Sequence, residues 1–316
     1  MKAVQIKEFG GPEVLEHTEL PDPEPGDGEV LVNVARSGVN FGDTHVTRND
    51  YLADQQLPLV PGGEISGTTP DGRRVAALLM NGGYAQQVAV PEAALIPVPD
   101  EVDDDQAAAL LLQGLTAWSL LNVSARVEPG ESVVVEAAGG GTGSLAVQLA
   151  KRAGAGRVIG LASSEEKRAL ALELGADAAV DSRADDLREQ IIAANEGEMV
   201  NVVLEMSGGE AFEATLRTLA PFGRMVAFGI ASRDENKVPT GHLLRNSRGV
   251  IGFWLVHLFS RPDVLRRGIE ELLGAAASGE LKAVIGDVYP LSEAQRAHED
   301  IAGRRSKGKL LLDPSR

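Results

Sequence analysis

Glu131-Ser-Val-Val-Val-Glu-Ala-Ala-Gly-Gly-Gly-Thr-Gly-Ser-Leu-Ala-Val-Gln-Leu-Ala-Lys151 is the stretch that decides the fold. Ser132 to Ala137 is a short, mostly apolar run of the kind that forms a buried parallel strand. Glycines at 139, 140, 141 and 143 follow, and Leu145 and Leu149 then keep the spacing of an amphipathic helix. A strand that turns through glycines into a helix aims backbone N–H groups and the positive helix end at one spot, which suits a phosphate. Ala138-x-Gly140-x-x-Gly143 fits the dinucleotide fingerprint with alanine in its first position. Gly140 lets backbone approach a pyrophosphate, and Gly143 lets the helix pack close to the strand. The turn Gly140-Gly141-Thr142-Gly143 is therefore the candidate phosphate cradle. An empty tight turn is the competing reading, since αβ loops also use glycine for steric reasons alone.

Outward from this stretch the rhythm is strand–helix alternation. Strands are expected at 132–137, 157–161, 177–181, 200–206, 223–229 and 249–253, with helices at about 142–153, 165–174, 185–194 and 209–220. Six strands in that rhythm describe a doubly wound parallel sheet. The first hundred residues are different. Lys2–Lys7, Val14–Thr18, Glu29–Arg36, Arg74–Leu78 and Tyr84–Val90 are short β-rich runs separated by Pro/Gly punctuation. A helix is expected at about 103–121, opened by acidic residues that suit a helix N-terminus. Beyond the alternation come helices near 263–278 and 292–302 and a strand at 309–312. These do not extend the sheet and are expected to return to the first domain, making it discontinuous. The division expected is 1–122 with 257–316 against 123–256.

The fingerprint also bears on the choice of nucleotide. An NAD site places an Asp or Glu at the end of the second strand, where it holds the ribose 2′-hydroxyl. Here the strand Arg157–Leu161 leads into Ala162-Ser163-Ser164, which has no carboxylate. Ser163, Ser164 and Lys167 could instead serve a 2′-phosphate, which predicts NADPH. Ser163-x-x-Glu166 also reads as a capping box, with Lys167 a solvated helix residue, and both readings can hold together.

At 316 residues with 43% apolar content the chain can fill two cores. Without cysteine it has no disulfide, cysteine–zinc site or thiol nucleophile. A net charge of −16 argues against a nucleic-acid partner. Met1–Glu8 enters a strand-like pattern, so no leader is expected, and 106–125 reads as a buried helix rather than a membrane span. A cytoplasmic protein with no membrane partner is expected.

Several further blocks, in order along the chain, resemble one family. They are Val39-Asn-Phe-Gly-Asp43, Val60-Pro-Gly-Gly-Glu64, Gly82-Gly-Tyr-Ala85 and Gln113-Gly-Leu-Thr-Ala117. After the glycine turn come Leu219-Ala-Pro-Phe-Gly-Arg224 with Phe228-Gly229, Gly252-Phe-Trp-Leu255 and Lys307-Gly-Lys-Leu310. Together they resemble the medium-chain dehydrogenase/reductases, and within them the zinc-independent quinone oxidoreductase group that contains zeta-crystallin. The resemblance implies a GroES-like β-barrel catalytic domain beside a Rossmann domain, with the active site in the cleft between them and a homodimer formed through the sheet edge. It also implies that Thr116 approaches the nicotinamide and that Phe228-Gly229 meets its carboxamide through backbone groups. Arg304 and Lys309 are implied as lining residues near the phosphates. Ser182 stands where the family often has a tyrosine near the adenine ribose.

The same blocks test for zinc. Asn40, Gly63 and Leu112 occupy the three positions where the family's zinc members carry ligands. The histidines at 17, 45, 242, 257 and 298 show no two-ligand spacing, so no metal is expected. Without a Lewis acid, acceptors that take hydride readily are favoured, namely quinones and activated enones. Asn40 and Tyr51 are the candidate catalytic groups, steadying a developing enolate or quinol oxygen. Tyr51 follows Arg48 as in the family's Arg-x-x-Tyr pattern, although Asp50 replaces the usual preceding glycine. The competing readings are that Asn40 caps a turn and that Tyr51 packs on the surface. The function expected is an NADPH-dependent reductase of quinones or α,β-unsaturated carbonyls. An enoyl-thioester reductase and a nucleotide-binding structural or regulatory protein without turnover are the alternatives.

Overall fold

Short β-branched runs and acute turns build the first of two units, residues Met1–Leu112 with Ile269–Arg316. The computed structural model describes the whole chain except Tyr51 and Glu235. Strands β1 (Lys2–Gln5) and β2 (Glu16–Glu19) form an antiparallel pair. The elements β3 (Glu29–Val39), α1 (Phe41–Val46), β4 (Glu64–Thr68), β5 (Arg74–Leu78), β6 (Gln87–Pro91), β7 (Ile96–Pro97) and α2 (Asp104–Leu110) follow. β3 is long enough to serve several partners. Its first half pairs with β6 and its second with β4, both antiparallel.

The second unit, Gln113–Gly268, opens with α3 (Leu112–Ser119) and a π-helical turn at Leu120–Ala125. It continues as β8 (Ser132–Val135), α4 (Gly141–Arg152), β9 (Arg157–Ala162), α5 (Glu165–Glu173), β10 (Ala178–Asp181) and α6 (Leu187–Ala194). Then come β11 (Val200–Glu205), α7 (Gly209–Leu216), β12 (Leu219–Ala227), α8 (Thr240–Asn246) and β13 (Gly249–Gly252). All six strands run parallel in the order β10-β9-β8-β11-β12-β13. The order reverses between β8 and β11, so the switch point of the doubly wound sheet lies at the carboxyl ends of those two strands. Val134, Ile159, Val203 and Met225 from the strands pack with Phe212 and Leu216 of α7 on one face.

The chain then passes through α9 (Pro262–Ala277) and closes the first unit with β14 (Ile285–Pro290), α10 (Ala294–Ala302) and β15 (Lys309–Asp313). The first unit's larger sheet has seven strands in the order β14-β15-β3-β4-β5-β7, with β6 also on β3. β15 therefore lies beside β3, with Leu310 opposite Val39. This is the α/β architecture expected, a doubly wound sheet together with a discontinuous β-rich unit. The expected boundaries at 122 and 257 fall inside the second unit, because Leu115 and Trp118 of α3 pack against Gly268 of α9.

The helix expected at 103–121 is broken at Leu111. At the break the Leu112 N–H donates to Glu64 Oε2 at 2.7 Å. Among the described residues no single helix is long and apolar enough to cross a membrane.

Candidate functional site

In the second unit the glycine stretch folds as a strand, a left-handed turn and a helix. The turn's positive φ falls on Ala137 (50°), one residue before the position the fingerprint reserves for its first glycine. Gly140 is the N-cap of α4, with extended backbone. The N–H groups of Gly141, Thr142 and Gly143 thus stand in the first helical turn, where no intrahelical carbonyl reaches them. Gly143 is required by packing. A Cβ there would lie 2.6 Å from the Ala137 carbonyl carbon and 2.9 Å from Ala138 Cα. Gly140 differs, since a Cβ would meet only the Ala137 carbonyl oxygen at 3.2 Å and is otherwise unobstructed.

The second strand ends at Ala162, and Ser164 rather than Ser163 caps the next helix, accepting from the Lys167 N–H at 3.4 Å. The cap therefore falls one residue later than expected, and with Lys167 at its third position the expected capping box with Glu166 is not formed. Ser163 is left half-buried beside the cap. The Lys167 stem packs on the glycine turn so closely that a Cβ at Gly139 would lie 2.6 Å from its Cβ. Lys167 is thereby fixed at the turn by its aliphatic part. Ser182 is at the same edge, its N–H on the Ala162 carbonyl at 3.2 Å.

Phe228 follows β12. Its N–H donates to the Glu205 carbonyl at 2.9 Å, so only its carbonyl, with the N–H of Gly229, is open to a carboxamide. Thr116 is buried on α3, and Gln113, one turn earlier, lays its carboxamide against Gly141. Gln113 was legible only as part of the Gln-Gly-Leu-Thr-Ala block. Glu136 and Glu205, buried at the ends of β8 and β11, were missed altogether.

In the first unit, Asn40, Glu64 and Lys309 come together at the ends of three adjacent strands. Asn40 Nδ2 donates to Glu64 Oε1 at 2.9 Å, Lys309 Nζ donates to Asn40 Oδ1 at 2.7 Å, and Lys309 forms an ion pair with the same Glu64 oxygen. The strand register explains the meeting. Leu310 is opposite Val39, so Lys309 and Asn40 are the next residues along. Glu64 fits only because its neighbour on β3 is Gly38, where a Cβ would lie 2.7 Å from Glu64 Cγ and Cδ. Lys309 is 1% exposed, which corrects the expectation that it lines the phosphates. An ammonium buried so deeply is held by its carboxylate partner and cannot reach outward. Arg304, expected beside it, sits in an exposed left-handed turn (φ 56°). Tyr51 lies outside the described residues.

The network continues from Asn40. Its backbone N–H donates to Asp43 Oδ2 at 2.8 Å, and the Tyr84 hydroxyl donates to the same oxygen at 2.9 Å. Burial pushes the Asp43 carboxyl up to about 6, opposed by those two hydrogen bonds and by Lys309. Tyr84 also meets His298 Nε2 at 3.0 Å. Burial lowers the His298 pKa to about 3, with Arg48 adding to the effect. A histidine kept neutral in the fold but protonated in the unfolded chain removes stability as pH falls below about 6.5. Thermal melts of His298→Gln are therefore expected to lose stability less steeply below pH 6.5, by up to about 1.4 kcal/mol per pH unit. Parallel curves for the two proteins would contradict the assignment.

The donor set does not suit zinc. The positions that would hold it carry a carboxamide, a glycine and a leucine, and the neighbouring carboxylate Glu64 is already bound by the Lys309 ammonium. The second unit's turn does suit a dinucleotide phosphate. It pairs helix N–H groups with a lysine stem and with a strand end that lacks a carboxylate.

Residues 26–100 match the alcohol dehydrogenase GroES-like domain, and residues 141–273 match the zinc-binding dehydrogenase family. The quinone oxidoreductase of Pseudomonas aeruginosa is 33% identical over 99% of both chains. Among solved structures, the quinone oxidoreductase of Thermus thermophilus, described with its NADPH complex, is 38% identical. It superposes with a TM-score of 0.90 over 99% of this chain and 100% of that one. The Escherichia coli quinone oxidoreductase complexed with NADPH gives a TM-score of 0.93 at 31% identity, with the same coverage.

Proposed function

Because the chain belongs to the quinone oxidoreductase group of the medium-chain dehydrogenase/reductase family, we propose that it is an NADPH-dependent reductase of quinones and α,β-unsaturated carbonyls. One observation carries the cofactor half of this reading, the Lys167 stem packed on Gly139 beside a strand end with serines in place of a carboxylate. The N–H groups of Gly141, Thr142 and Gly143 would hold the pyrophosphate, and Ser163, Ser164 and Lys167 the 2′-phosphate. The Phe228 carbonyl and the Gly229 N–H would hold the carboxamide, with Thr116 toward the nicotinamide. When bound, NADPH supplies the hydride, and the protein's share is orientation and the stabilisation of charge. That second task falls to Asn40 and Tyr51. Asn40 is given this role by the resemblance, and Glu64 and Lys309 fix the orientation of its amide. A homodimer in the cytoplasm completes the reading, and the position of β13 at the end of the parallel sheet, with β12 its one strand partner among the described residues, supports the dimer.

The test is NADPH oxidation on adding a naphthoquinone, a simple enone and a crotonyl thioester in turn, with a strong chelator present. Turnover of the quinone, undiminished by chelation, is expected. Turnover of the thioester alone, or activity lost to the chelator and restored by zinc, would overturn the reading.

The nucleotide preference is a separate expectation. NADPH is expected to bind at least roughly tenfold tighter than NADH, about 1.4 kcal/mol. Lys167→Ala should weaken NADPH and leave NADH nearly unchanged. A wild type for which NADH is the better donor contradicts the assignment.

A further inference from the structure

We propose that Glu136 and Glu205 share a single proton across the switch point of the parallel sheet, and that this pair positions the Met206–Gly209 loop as a pH-sensitive wall of the dinucleotide crevice. The placement follows from the strand register. Val135 of β8 is opposite Leu204 of β11, so Glu136 and Glu205 are the next residues on neighbouring strands, whose backbones run about 4.8 Å apart. Both side chains emerge on the face of Val134 and Val203, beneath α7, and both are buried. In a doubly wound sheet the dinucleotide lies outside the carboxyl ends of the strands at the switch point, which is where this pair sits. The inference therefore rests on the cofactor reading above.

The hydrogen bonds show where a proton belongs. Glu136 Oε2 accepts from the N–H groups of Met206 at 3.2 Å and Ser207 at 3.1 Å, and its Oε1 faces the Thr215 hydroxyl at 3.5 Å. Glu205 Oε1 accepts from the Gly208 N–H at 2.5 Å. Glu205 Oε2 is buried with no hydrogen-bond partner among the described residues. Three successive N–H groups of the loop thus end on two carboxyls, and the one oxygen without a donor is the natural seat of the proton. The groups acting on Glu205 are Glu136 and the backbone of Gly208 and Ser207. The charged residues around the loop are Glu210 and Glu213, exposed on α7, Asp234 beside Gly209, and Asp185, Arg188 and Lys237, which line the same surface as Gly209. Arg217 on α7 is paired with Glu213.

Two ionised carboxylates cannot share a dry site at low cost. Burial first, and then the Glu136 charge, push Glu205 up to about 8, and burial also raises Glu136. The sign follows directly. The unfolded chain releases these protons near pH 4.5, whereas the folded chain keeps one of them to about pH 8. Stability therefore declines as pH rises through that interval and levels off above it. Above it, the second charge sets the two carboxylates in repulsion, strains the loop they hold and adds negative potential where phosphates bind.

The experiment follows NADPH affinity by nicotinamide fluorescence, and apo-protein melting, from about pH 6 to about pH 9.5 in wild type, Glu205→Gln and Glu136→Gln. Infrared difference spectra accompany them. In wild type the NADPH dissociation constant is expected to rise roughly tenfold over the range, with a parallel fall in melting temperature. Glu205→Gln replaces the shared O–H with an N–H donor, so both profiles flatten and the variant melts above wild type at the alkaline end. The infrared band of a protonated carboxylic acid present at neutral pH should vanish in Glu205→Gln. Flat wild-type binding, or a Glu205→Gln variant that keeps the wild-type profile and band, overturns the pairing and leaves the cofactor assignment standing. Should Glu205→Gln fail to fold, Glu136→Gln carries the same comparison. A wild type that binds no NADPH at any pH overturns both.

Discussion

Gly140→Val is expected to weaken NADPH binding at least about a hundredfold, roughly 2.7 kcal/mol, while its melting temperature stays within about 3 °C of wild type. The two halves of this expectation have separate causes. Gly140 already has the extended backbone that valine prefers, and a Cβ would meet only the Ala137 carbonyl oxygen at 3.2 Å, so the apo fold has little to lose. The outer branches of valine would instead occupy the space that a pyrophosphate needs in order to reach the helix N–H groups. Gly143→Val is the control, because there the new carbon strikes backbone at Ala137 and Ala138 and stability must fall as well. Fluorescence titration and thermal melting of the two variants separate the effects. An unaltered titration curve in Gly140→Val would remove the phosphate from this turn.

Lys309→Met is expected to be the most damaging single change in the first unit, costing about 3–5 kcal/mol. It strips the partner from Glu64, a carboxylate that is fully buried and still tied to Asn40 and the Leu112 N–H. The melting temperature should fall by on the order of 10 °C. Adding Glu64→Gln is expected to restore a good part of the loss, since an uncharged amide removes the uncompensated charge while keeping its acceptor and gaining a donor. A single variant that melts with wild type, or a double variant no better than the single, would show that Lys309 is not the counter-charge.

Much of this was legible in the residues, for physical reasons. The central strands β8, β9 and β11 are buried on both faces, so they read as apolar, β-branched runs bounded by turn residues, and all six strands were found, although β12 starts at Leu219, four residues before the expected 223. β4, Glu-Ile-Ser-Gly-Thr, was not found, because its glycine and serine face close neighbours and leave no apolar alternation to detect. The helix break at Leu111 was likewise hidden. No proline or glycine marks it, and it coincides with a hydrogen bond to a carboxylate forty-eight residues earlier. Lys309 was expected near the phosphates, and Glu136 and Glu205 drew no reading at all. In each case only the tertiary partner reveals the burial. At the glycine turn local pattern and packing agree, with α4 starting one residue before the expected 142, and at the next helix the cap moves by one residue to Ser164.

The position of β15 beside β3 has a consequence for synthesis. The Lys309 and Asn40 side chains that meet there are 269 residues apart along the chain. At 5–20 residues per second, β3 waits on the order of tens of seconds for its neighbour. Meanwhile the contiguous second unit can complete its own sheet. The Ser37–Val39 end of one β3 edge, beyond the part that β6 covers, stays open throughout that interval, and such edges are where nascent chains pair with one another. The yield of correctly folded protein should therefore depend on translation speed after the second unit has emerged more than on speed before it.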